Sequence, residues 1–166
     1  MRDWNYCPRC QAVLAWQGEL SNPYVQCPSC DFIKYDNPLP TTIGVIHSNG
    51  LFLFMRRASE PELGKWDAVG GFLAPGERAE DCLFREAREE IGCSVKIDKL
   101  LGTYASVYGD TGFRTLGIGF LCSLTGEGDV LLSAENDAFS WFPREEIPEL
   151  AFGDVRQAVQ EALRLV

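Results

Sequence analysis

Apolar positions change their period along the chain, and those changes mark its elements. Residues 41–47 and 51–56 are runs rich in β-branched, aliphatic and aromatic side chains, separated by Ser48-Asn49-Gly50. An Asn-Gly pair between two such runs predicts a β-hairpin, because both residues accept the positive φ of a tight turn. Further strand-like runs cover residues 100–107, 113–124 and 138–142. Ala79–Ile91 is instead built from good helix formers and stops at Gly92, a natural residue just past a helix end. Residues 155–166 space Val155, Ala158, Val159, Ala162 and Leu165 onto one helical face. Ahead of all these, Asp36-Asn37-Pro38-Leu39-Pro40 reads as a linker, since its prolines hold the chain extended. This order predicts an α/β (α+β) domain over residues 41–166, a mixed sheet with flanking helices.

The first 36 residues follow a different logic. Cys7-Pro-Arg-Cys10 and Cys27-Pro-Ser-Cys30 are two matching knuckles, and a two-residue gap lets both sulfurs of a pair turn toward one point. Cys7, Cys10, Cys27 and Cys30 are therefore expected to hold a structural Zn²⁺ in a small ribbon over residues 1–36. The intervening segment predicts a short hairpin around residues 18–23. Two disulfides would suit a secreted chain, and a redox motif would need no second copy. Residues 1–10 lack the basic and apolar regions of a secretory signal, and no apolar run would span a membrane, so a cytoplasmic protein is expected. Cys82, Cys93 and Cys122 stand singly and are read as small core residues.

With 166 residues, 46% of them hydrophobic, the chain can bury the core of one ordinary domain beside a metal-stabilised module. A net charge of −9 alters the view of ligands. Such a field repels nucleic acid and phosphates, so a nucleotide ligand requires a mediating cation. The ribbon's few basic residues, Arg2, Arg9 and Lys34, also argue against nucleic acid as a partner.

The densest chemistry lies between Gly70 and Cys93, GGFLAPGERAEDCLFREAREEIGC. Its first half must be loop. On the helix that follows, Glu86, Glu89 and Glu90 stand at i, i+3 and i+4 and crowd one surface. A solvated face laced by Arg78, Arg85 and Arg88 would also account for such crowding. The whole spacing is more specific: Gly71, five residues, Glu77, seven residues, then Arg85-Glu86-Ala87-Arg88-Glu89-Glu90-Ile91-Gly92-Cys93. It resembles the Nudix box at all seven fixed positions, and at residue frequencies near ~6% a chance match is on the order of one in a million. Ala87 and Cys93 are smaller than the apolar residues common at the two looser positions. The flanking Gly64-Lys65-Trp66-Asp67 is also similar to the family.

That resemblance implies a Nudix α/β/α sandwich in which Glu86, Glu89 and Glu90, with the Gly70 carbonyl, ligate Mg²⁺ or Mn²⁺. It implies that Arg85 pairs with Glu77 or Glu89 and orients the carboxylates, and that Gly71 permits a tight loop. The expected reaction is metal-dependent hydrolysis of the pyrophosphate bond of a nucleoside diphosphate linked to another moiety. Either Glu86 or Glu135, from a later loop, would be the general base; Glu135 is equally an ordinary loop carboxylate. Zinc ribbons joined to Nudix domains resemble NADH pyrophosphatases, but the proline-rich run that marks that group is absent after Cys93. The compact layout is more similar to enzymes acting on ADP-ribose or FAD. Arg57, Tyr104 and Phe113 are substrate-binding candidates, although strand aromatics are commonly core, and lone His47 is assigned no role. A nucleoside-triphosphate pyrophosphohydrolase would use the same box, and a non-catalytic nucleotide-sensing module is the alternative outside enzymes. A homodimer is a further expectation carried by the resemblance.

Overall fold

The computed structural model describes residues 4–19, 23–126 and 129–166. Arg2 and the middle of the turn expected at residues 18–23 lie outside them. Two compact units emerge, Met1–Pro38 and Leu39–Val166.

In the first unit β1 (Trp16–Gln17), β2 (Tyr24–Gln26) and β3 (Ile33–Tyr35) form an antiparallel sheet, of which the sequence had suggested only the first pairing. Its apolar centre is small: Val25, Leu14, Cys7 and Cys27 are buried, with Trp4, Trp16 and Phe32 packed around them. A cluster of this size cannot offset the conformational entropy of ordering such a segment, so the fold needs a further constraint.

The second unit is built on β4 (Leu39–Ser48), β5 (Leu51–Arg57), β6 (Trp66–Asp67), β7 (Ser94–Val107), β8 (Arg114–Thr125) and β9 (Asn136–Pro143). Strand order is β6-β5-β4-β8-β7, with β9 also paired to β5. The β4–β8 pairing is parallel and the others are antiparallel, which gives the mixed sheet. Leu39 and Pro40, read from the sequence as linker, instead pair with Thr115 and Leu116 as the start of β4. Helix α1 (Ala79–Ile91) packs on β4 and β7, and α2 (Gly153–Ala162) on β7, β8 and β4. The second helix starts two residues earlier than its apolar spacing indicates and ends at Ala162, leaving Leu165 beyond it.

Alternation along β5 shows why its apolar run is continuous. Phe52 and Phe54 join the cluster formed with α2, whereas Leu53 and Met55 join the cluster formed with α1. Both faces are covered by helices, so neither can be polar. His47 points to Asp98, with Nε2 3.7 Å from Oδ2, and has no part in the site described next.

Candidate active site

The loop between β6 and α1 is held against β4 by backbone. Gly44 N donates to Val69 O at 2.7 Å and Thr42 N to Gly71 O at 2.9 Å. The fit leaves no room for side chains at two positions: a Cβ on Gly70 would lie 2.0 Å from the Thr42 oxygen, and one on Gly71 would lie 2.3 Å from Glu86 Oε1. Helix α1 then begins with Glu80 and Asp81 in its first turn, where negative charge suits the dipole, and ends at Gly92 in the left-handed conformation, φ 66°.

Arg85 organises the outer side of this helix. Its Nε and Nη2 meet the two oxygens of Glu77 at 2.9 and 3.0 Å, while Nη1 reaches Glu86 at 2.7 Å and Glu89 at 3.0 Å. The fork and the Ala74 amide hold the Glu77 carboxyl at about 2, far below its ordinary range. The same three carboxylates raise the Arg85 pKa.

Toward the interior the balance of charge reverses. Glu90 accepts one hydrogen bond, from Gly70 N at 3.2 Å. Burial pushes its carboxyl well up, and the negative neighbours Asp67, Glu86 and Glu135 push in the same direction. Burial likewise raises Glu86, opposed by Arg85. Glu86, Glu90, Glu135 and Asp67 all line a cavity of about 200 Å³, which continues past Tyr108 and Phe152 to Asp154.

The sequence reading overlooked Asp67 and Asp154 as cavity residues. Burial pushes Asp67 up to about 7 against the pull of Arg57, whose Nη1 lies 3.2 Å from Oδ2. Asp154 is 6% exposed and accepts from Val155 N at 3.0 Å and from Thr115 Oγ1 at 3.4 Å. An acid beside the apolar face of a predicted helix was the one available signal for it.

Of the three substrate-binding candidates, only Arg57 lines the cavity. Its guanidinium is already engaged by Pro61 O, Asp67 and the Tyr108 hydroxyl, and it lies 4.9 Å from the Phe152 ring centre. Tyr104 packs against the α2 cluster, and Phe113 is 51% exposed; neither borders the cavity. The aromatic residues that do border it are Phe72, Tyr108 and Phe152.

In the ribbon unit the sulfurs of Cys7, Cys10, Cys27 and Cys30 all lie within 4.8 Å of one another. Cys7–Cys30 and Cys10–Cys27 separations of 3.6 and 3.4 Å are too long for S–S bonds. They are close to the ~3.8 Å edge of a tetrahedron with ~2.3 Å metal–sulfur bonds, so the donor set fits one zinc ion. Among the described residues this is the sole metal-type group so converged. The helix glutamates do not meet so closely: Arg85 engages Glu86 and Glu89, while Glu90 accepts from Gly70 N. Glu90 is nonetheless a buried carboxylate among negative neighbours with no cationic partner among the described residues, and its hard oxygens fit a divalent cation such as Mg²⁺ or Mn²⁺. No helix among the described residues is long and apolar enough to cross a membrane.

Comparison with known proteins places this geometry. The NUDIX domain profile matches residues 38–162. An NAD-capped RNA hydrolase NudC of Pseudomonas putida is 27% identical over 155 residues, 92% of this chain and 52% of that protein, so the chain spans about half the length of such relatives. An ADP-ribose pyrophosphatase of Methanocaldococcus jannaschii is 28% identical over 130 residues, covering 78% of this chain and 76% of that one. A crystal structure of a Nudix hydrolase from Nitrosomonas europaea superposes with a TM-score of 0.76 at 24% identity, covering 96% and 93% of the two chains, and supports the fold.

Proposed function

The chain belongs to the Nudix family, and on that premise we propose that it hydrolyses the pyrophosphate bond of a nucleoside diphosphate linked to another moiety, with ADP-ribose, FAD and NAD(H)-like dinucleotides as the substrate class. The observation that carries this reading is Glu90, a buried acid facing a cavity with Glu86 and Glu135 and lacking a cationic partner among the described residues. The similarity to an ADP-ribose pyrophosphatase that this chain spans to 76% supports the substrate class.

Glu86, Glu89 and Glu90, with the Gly70 carbonyl, would hold Mg²⁺ or Mn²⁺. The chemistry such a cation would supply there is neutralisation of the pyrophosphate oxygens and a lowered pKa for water. Arg85 is then a positioning residue, since its fork joins the loop acid Glu77 to Glu86 and Glu89. Water forms a new bond to one phosphorus as the bridging P–O bond breaks, the other phosphate leaves with the bridging oxygen and its electron pair, and the water's proton passes to Glu135 or Glu86, both at the cavity wall. Phe72 and Tyr108 offer aromatic surface to the organic part of the substrate. In the ribbon, Cys7, Cys10, Cys27 and Cys30 would hold a structural zinc, and four thiolate donors would leave no open position for chemistry. We place the protein in the cytoplasm, acting as a homodimer on a small nucleotide.

The test is turnover of ADP-ribose, FAD, NADH, diadenosine polyphosphates and oxidised dGTP with Mg²⁺ or Mn²⁺, for the native protein beside Glu90→Gln. Cleavage of a dinucleotide that the variant loses supports the reading. Preference for oxidised dGTP would replace it with a triphosphate pyrophosphohydrolase, and metal-dependent binding without cleavage with a sensing module. Sedimentation velocity decides the oligomeric state.

A further inference from the structure

The last carbonyls of a helix have no partner within it and must find one elsewhere. At the end of α1, Ile91 O accepts from Leu131 N at 2.9 Å and Glu90 O from Ser133 N at 3.0 Å. Residues 131–133 thus lie along the helix end in backbone register. Val130 and Leu132 pack against the cluster containing Leu83, Ala87 and Ile91, while Leu131 is turned outward and 69% exposed. It sits over Gly92: a Cβ there would be 3.1 Å from Leu131 Cβ. Two residues on, Glu135 N donates to Ser133 Oγ at 3.3 Å, and Glu135 O accepts from Ala58 N at 2.8 Å just past β5.

We propose that Gly92 and Ser133 are positioning residues for Glu135. The loop that carries this acid is registered on the backbone of Glu90 itself, so the acid on the loop and the acid on the helix are fixed relative to each other. Gly92 serves twice. Its left-handed backbone ends the helix, and its missing side chain spares Leu131 a Cβ–Cβ contact of 3.1 Å, which the loop would have to shift to relieve. The proposal rests on the hydrolase reading, with Glu135 as the residue that takes the proton.

The experiment separates these roles. Gly92→Asn keeps a residue that tolerates the left-handed region but introduces a Cβ under Leu131. Ser133→Ala removes the hydroxyl that accepts from the Glu135 amide, and Ser133→Thr keeps one. Each is assayed on the best substrate, alone and combined with Glu135→Gln. We expect Gly92→Asn and Ser133→Ala to lower kcat about tenfold, ~1.4 kcal/mol in barrier, with KM unchanged within twofold. Ser133→Thr should restore kcat, and neither loss should appear on top of Glu135→Gln. Equal losses in both backgrounds, or losses confined to KM and thermal midpoint, overturn the proposal. Full turnover by Glu135→Gln removes Glu135 from the chemistry and the proposal with it, while leaving the hydrolase reading to the Glu90→Gln result.

Discussion

Arg85 and Glu77, eight residues apart, face each other as a two-pronged ion pair, Nε to Oε1 at 2.9 Å and Nη2 to Oε2 at 3.0 Å. Glu77 belongs to the loop and Arg85 to the helix, so the pair fixes one to the other. Its linkage to pH has a definite sign. The Glu77 carboxyl lies at about 2 in the folded protein against an ordinary 4.5, so its stabilisation is complete above 4.5 and is lost as pH falls toward 2. Urea midpoints measured between pH 5 and pH 2 should fall more steeply for the native protein than for Glu77→Gln. Parallel curves would show that the pair adds nothing to stability.

Replacing the fork by a point charge tests the positioning role of the same arginine. In Arg85→Lys one ammonium cannot meet Glu77 with two parallel bonds while also reaching Glu86 and Glu89. Turnover is expected to drop by about 10- to 100-fold, the range seen when groups that orient metal ligands are lost. Steady-state kinetics with metal titration measures it, and a native-like rate at saturating Mn²⁺ would contradict it.

The adjacent glycines should respond differently to alanine. At Gly70 the new Cβ meets the backbone oxygen of Thr42, which cannot move without β4, and a loss of about 2 kcal/mol in stability is expected. At Gly71 it meets the carboxylate of Glu86, the end of a flexible side chain. Gly71→Ala should therefore unfold near the native temperature while losing most of its activity. Calorimetry and turnover on both variants decide the matter.

Zinc removal should disorder the ribbon. The native protein is expected to contain one zinc per chain, released by a chelator with loss of ordered signals from residues such as Trp4 and Trp16, and Cys27→Ser should bind it more weakly. Emission analysis for metal and NMR of the tryptophan side chains would record this. Retention of ribbon structure without metal would show that its core suffices.

Under α1, Leu83 is fully buried, and its Cδ1 occupies the space that a side chain on Gly44 would need. Leu83→Ala should cost about 3 kcal/mol, read from denaturant unfolding, because that contact cannot be refilled without moving β4.

Much of the fold was readable because local rules act over short distances. Asn49-Gly50 dictated the hairpin, helix formers followed by Gly92 set the limits of α1, and the two knuckles announced a cysteine cluster. Strand ends were less legible. β7 begins at Ser94, six residues before its apolar run, because two irregularities in its pairing with β8 interrupt the alternation. Two-residue β6 carries too little pattern to be seen at all.

By itself the sequence determined which acids share a helix face, since 3.6 residues per turn place Glu86, Glu89 and Glu90 together whatever surrounds them. It also determined the cysteine donors, whose spacing within each knuckle is set by a tight turn. Only the tertiary structure decided that Glu90 turns inward while Arg85 holds Glu86 and Glu89, and that Asp67, Glu135 and Asp154 share one cavity whereas Tyr104 and Phe113 lie outside it. Those residues come from separate elements, brought together by the parallel β4–β8 register and by helices on both faces of the sheet. Desolvation, which shifts the buried acids most, depends on what the rest of the chain packs over each carboxylate rather than on its immediate sequence neighbours.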